Sequence, residues 1–126
     1  MEEIFTNLPE VISKDQFKKL LNIIILNYEQ IQETDLIEYL EILSDKFSQF
    51  YNYDLLSKFE KDKLFKILVK STDFNNINII MDLIGFLFSF RIDEYALYLK
   101  ENINIKINIP KDVLDEIKDA LEEYYL

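Results

Sequence analysis

The chain has 126 residues, with 24 acids against 14 basic residues and no histidine, for a formal net charge of −10. That length suits one domain, and 49% hydrophobic with 30% charged content supplies a core and excludes the low-hydrophobicity signature of disorder. Lacking cysteine and histidine, the chain has no disulfide, thiolate or Ser-His-Asp chemistry and no ordinary zinc site, and its one glycine, Gly85, excludes phosphate-cradling loops and glycine-rich β turns.

The start, Met1-Glu2-Glu3-Ile4-Phe5, has neither the basic residues nor the apolar run of a secretory signal, so a cytoplasmic location is expected. Ser13 followed by Gln16 has capping-box spacing and opens a helix over about residues 14–30, with Phe17, Leu20, Leu21, Ile24, Tyr28 and Ile31 on one face. Thr34 is the expected N-cap of a second helix, in which Leu36, Leu40, Leu43, Phe47 and Phe50 step by four and three. Ser57 and Glu60 give another capping box ahead of Leu64, Phe65, Leu68 and Val69.

A polar turn, Ser71-Thr72-Asp73, precedes a helix that is apolar nearly all round from Ile77 to Phe90. At 14 residues and containing Asp82, it is too short for a membrane span and belongs in the middle of a bundle or stack. Its thin stripe of Asn78, Asp82, Gly85 and Ser89 predicts close helix packing at the glycine with one wet edge. Arg91, the one arginine, is expected to pair internally with its neighbours Asp93 and Glu94, and Asp93 is expected to cap a short helix through Tyr95, Leu97, Tyr98 and Leu99.

Residues 103–109 alternate isoleucine with Asn104, Lys106 and Asn108, a period of two. They read as an extended connector pinning isoleucines onto the core, or as a short strand able to pair with a partner's sheet edge or with itself in a dimer. Pro110 then begins a last helix with Val113, Ile117, Leu121 and Tyr124 inward. The expectation is an all-α fold: residues 1–126 form a single-domain helical bundle or HEAT-like stack of helical hairpins, with about six helices and one candidate strand at 103–109.

Between Leu20 and Asp45 there is no lysine or arginine, but there are Glu29, Glu33, Asp35, Glu38, Glu41 and Asp45. Ordinary solvated helices interleave lysines at i+4, so this run of like charge suits a cationic partner. The last helix repeats the pattern with Asp112, Asp115, Glu116, Asp119, Glu122 and Glu123 against Lys111 and Lys118. Glu122 and Glu123 oppose the helix dipole there. Together with Tyr51 and Tyr53 at a helix end, where tyrosines anchor interfaces, Glu33, Asp35, Glu38, Glu41, Asp45 and the six acids of the last helix form the candidate partner-binding set. Lys58, Lys61, Lys63, Lys66 and Lys70 share one helix, but lysines without arginine on so negative a chain read as a solvated face or an internal match to an acidic helix, not a nucleic-acid site. A carboxylate pair such as Asp115 and Asp119 could serve acid/base chemistry, yet there is no tryptophan, no D-x-D-x-D-G loop and no helical E-x-x-H. No catalytic residue, metal or cofactor is assigned, and neither a membrane nor direct nucleic-acid contact is expected.

Small size, strong acidity and helical architecture, with the stretches Ile79-Ile80-Met81-Asp82-Leu83-Ile84-Gly85-Phe86-Leu87 and Ile109-Pro110-Lys111-Asp112-Val113-Leu114-Asp115-Glu116-Ile117, give the chain its likeness. It resembles the immunity proteins of bacterial polymorphic toxin systems, including contact-dependent inhibition. The resemblance implies stoichiometric occlusion of a cognate toxin domain, with acidic side chains mimicking the phosphates expected by a cationic nuclease and tyrosines filling apolar gaps. The alternatives are a phage-type inhibitor or nucleic-acid mimic acting on a host defence protein, and a structural helical adaptor.

Overall fold

Three strong N-caps set the frame. Ser13 Oγ accepts from the Gln16 N–H at 3.1 Å while Gln16 Oε1 accepts from the Ser13 N–H at 2.9 Å. Ser57 and Glu60 repeat that reciprocal pair, and Asn76 accepts from the Ile79 N–H at 3.2 Å. In the computed structural model, residues 2–50 and 52–126 are described, with Glu2 and Tyr53 described by backbone alone. They form seven α-helices: α1 (Glu2–Thr6), α2 (Lys14–Asn27), α3 (Glu33–Phe47), α4 (Lys58–Ser71), α5 (Ile77–Phe90), α6 (Asp93–Ile105) and α7 (Lys111–Tyr124), with short 3-10 turns at Ser48–Phe50 and Tyr53–Leu55. No described helix is long and apolar enough to cross a membrane.

Helices α2/α3, α4/α5 and α6/α7 are successive pairs, each joined by a five-residue connection at 28–32, 72–76 and 106–110. Partners within each pair touch; α2 also touches α4 and α4 touches α6, while α3 touches α5 and α5 touches α7. The result is a two-layer stack of helical hairpins, with α2, α4 and α6 in one layer and α3, α5 and α7 in the other. Both layers contribute to one buried core that includes Phe17, Leu21, Leu40, Leu43, Leu64, Leu68, Leu83, Leu87, Tyr95 and Ile117. Helix α5 lies against α3, α4, α6 and α7, the central place that its all-round apolar sequence requires.

Several expectations change. Helix α1 is additional to the six predicted and is held by Phe5 stacking on Tyr39, with centroids 4.4 Å apart. Helix α3 begins at Glu33 after Gln32, so Thr34 lies inside its first turn. Likewise Ile92 occupies the N-cap of α6 and Asp93 its first helical position. Gly85 is exposed, and a Cβ there would meet nothing within 4 Å, so it marks no close helix contact.

The candidate strand at 103–109 is not formed; among the described residues there is none. Helix α6 continues through Ile105, closed by the Lys106 N–H bonding to the Asn102 carbonyl at 2.9 Å. Tyr95, Leu99 and Ile103 recur every four residues, so the helical register that buries the first two also brings Ile103 onto the core. Of the remaining isoleucines, Ile109 packs on the core, whereas Ile105 and Ile107 are 73% and 92% exposed. The connector is thus pinned at its end, not along its length.

Candidate protein-binding surface

The hairpin stack sorts the charges. Helices α3, α5 and α7 carry twelve carboxylates against three lysines, whereas α2, α4 and α6 carry nine lysines against six carboxylates. Alternate helices along the chain therefore give the molecule an acidic layer and a lysine-rich one.

On α3 the buried stripe of Leu36, Leu40, Leu43 and Phe47 turns Glu38, Glu41 and Asp45 directly outward, and all three are exposed. Glu33 and Asp35 are also exposed, in the first turn, where carboxylates suit the helix dipole. The one cation of this helix, Lys46, is buried at its inner shoulder. Its Nζ donates to the carbonyls of Pro9 at 2.8 Å and Glu10 at 2.9 Å.

A groove of about 490 Å³ runs between residues 5–8 and this face. Phe5, Leu8 and Ile42 supply its apolar lining, Glu38, Glu41 and Asp45 supply its carboxylates, and Thr6 and Lys46 complete it. Such a site suits a lysine or arginine, whose aliphatic stem covers apolar surface while the charged head meets carboxylates. Phe5, Leu8 and Ile42 were not among the residues singled out from sequence. Ile42 had a signal, as an apolar residue falling outside the Leu/Phe stripe of its helix.

Helix α5 separates the two acidic helices and keeps them apart while placing them in the same layer. Ser89, at the end of its polar stripe, meets α3, where Ser44 Oγ and Ser89 Oγ are 2.6 Å apart in a hydrogen bond. On α7, Val113, Ile117, Ala120, Leu121 and Tyr124 are buried, and Asp112, Asp115, Glu116, Asp119, Glu122 and Glu123 are exposed. None of these carboxylates lines the α1/α3 groove.

Compared with known proteins, the chain matches no family model, no curated protein and no solved structure. The surface is therefore read from its own residues.

The tyrosines divide. Tyr51 lies outside the described residues, and Tyr53, described by its backbone alone, opens a 3-10 turn. Tyr124 is core: it is buried, its hydroxyl donates to Asp93, and the Arg91 guanidinium stacks 4.3 Å from its ring centroid. Burial, followed by the bond to Asp93, pushes the Tyr124 phenol well above its ordinary pKa. Asp93 is thus committed to α7, and Arg91, in the left-handed region at φ 57°, turns the chain between α5 and α6 while covering that tyrosine.

Proposed function

We propose that this chain is a stoichiometric protein inhibitor, an immunity protein that neutralises a cationic toxin by laying its acidic layer over the toxin's active or substrate-binding surface. The observation that carries this reading is the row Glu38, Glu41 and Asp45, exposed along a groove that also offers Phe5, Leu8 and Ile42, on a helix whose one lysine is held by the Pro9 and Glu10 carbonyls. Carboxylates repeating along a helix can occupy positions that a nuclease offers to phosphates. The groove would take a basic side chain of the toxin. The field of the acidic layer speeds encounter, and the contacts buried in the groove set the rate of release.

The test is genetic. The gene immediately upstream in the native genome is expressed with and without this chain, and growth is followed. Arrest relieved only by co-expression supports immunity and identifies the partner; an absence of toxicity, or toxicity that this chain does not relieve, overturns it.

A further inference from the structure

The lysine-rich layer has a surface that this function does not use. Phe59 and Leu26 are large apolar residues 61% and 78% exposed, and both line a depression of about 290 Å³ between the end of α2 and the start of α4. From Phe59, a row of Lys63, Lys66 and Lys70 follows α4 at spacings of four, three and four, so all four share one helix face. Lys63 and Lys70 lie over the rings of Phe59 and Tyr28, at 5.4 and 5.2 Å from their centroids.

A complementary row exists on the same molecule. Asp115, Asp119 and Glu122 follow the exposed face of α7 at spacings of four and three, and three residues later comes Tyr125, 57% exposed. Set antiparallel, the two rows correspond: Tyr125 meets Phe59, Glu122 meets Lys63, Asp119 meets Lys66, and Asp115 meets Lys70. Antiparallel helices also oppose their dipoles favourably.

We infer that a second copy of this chain docks here, its α7 lying antiparallel across α4, with Tyr125 set against Phe59 and Leu26. Two different surfaces meet, so the contact is heterologous and a pair of copies leaves one of each surface free. Assembly therefore grows beyond a dimer as concentration rises, into a ring or a chain. The α1/α3 groove and the acidic face of α3 stay open throughout, so α3 would meet the toxin while the acids of α7 are taken up by the neighbouring copy.

Nucleic acid and anionic membrane are weaker occupants, because the acidic layer of the same small molecule repels an extended polyanion.

Sedimentation equilibrium on the whole chain over a wide concentration range tests this. The average mass should rise past the dimer with concentration, and Phe59→Ser should weaken association by about tenfold or more. One variant carries Lys63→Glu, Lys66→Glu and Lys70→Glu, and another Asp115→Lys, Asp119→Lys and Glu122→Lys. Each should be monomeric alone, and the two should associate when mixed, since mixing restores opposite charges at both contacts. A wild-type chain monomeric at every concentration overturns the inference, as does association that Phe59→Ser and both charge variants leave unchanged. If the wild-type chain is monomeric, a gel shift with DNA or pelleting with anionic vesicles, lost in the lysine variant, would reassign the surface.

Discussion

Lys46 reaches back to the chain's N-terminal segment, its Nζ donating to the Glu10 carbonyl at 2.9 Å, and the neighbouring Pro9 carbonyl shares the same ammonium. This one arrangement fastens the segment carrying Phe5 and Leu8 against α3. It also commits the only ammonium of α3 to backbone carbonyls, although Lys46 still lines the groove beside the acidic row. We expect Lys46→Met to cost about 1 kcal/mol, since the Pro9 carbonyl loses its bond from the ammonium while the Glu10 carbonyl keeps one from Gln49 Nε2. Chemical unfolding measures the loss, and amide exchange should rise first over residues 2–12. Unchanged stability would show that the Phe5–Tyr39 stack, the buried Ile12 and the Gln49 bonds to Glu10 and Ile12 hold the segment without Lys46.

Glu60 gives the acid side of the stability profile. Burial disfavours its charge, but bonds from Lys18 and Ser57 outweigh that and hold its carboxyl below the ordinary 4.5. A depressed folded pKa means that the contribution is complete above the ordinary value and is lost as pH falls through the folded one. Glu60→Gln should flatten the acid limb of unfolding free energy against pH while keeping a capping acceptor. Glu60→Ala should cost about 1–3 kcal/mol at neutral pH. An acid limb unaltered in the glutamine variant would place the titrating groups elsewhere.

Tyr124 gives the alkaline side. Its raised pKa means stability that is complete below 10.0 and drains away as pH climbs toward the folded value, because the unfolded phenol ionises first. Tyr124→Phe should cost about 1–2 kcal/mol at neutral pH through the lost bond to Asp93, and should shrink the alkaline loss. Unfolding midpoints at three or four pH values decide it.

Gly85 offers a gain. It sits inside α5 with open space where a Cβ would go. Gly85→Ala should raise stability by about 0.5–1 kcal/mol, the usual helix-interior difference between the two residues. A destabilised alanine variant would mean that the position is covered after all.

Much of the frame was legible in sequence because it is local. Ser13/Gln16 and Ser57/Glu60 announce helix starts within four residues, and the unbroken apolar content of 77–90 predicts the central helix. What escaped reading depends on tertiary partners. Helix α1 is too short for a periodic signal and exists through the Phe5–Tyr39 stack. The isoleucines of 103–109 alternate, but the fourfold step from Tyr95 through Leu99 to Ile103 prevails because the core lies on that side. The acidic rows on α3 and α7 were visible as charge. Their common layer, and the groove beside one of them, required the stacking order and the inward turn of Lys46.

The most direct test is growth protection by a chain carrying Glu38→Lys, Glu41→Lys and Asp45→Lys. All three side chains are exposed and lie opposite the buried stripe, so the variant should fold with a circular dichroism spectrum and unfolding midpoint close to the wild type. It should nevertheless fail to relieve the growth arrest caused by the toxin that the wild-type chain neutralises. A folded triple variant that protects as fully as the wild type would contradict the proposal that this face of α3 engages the toxin.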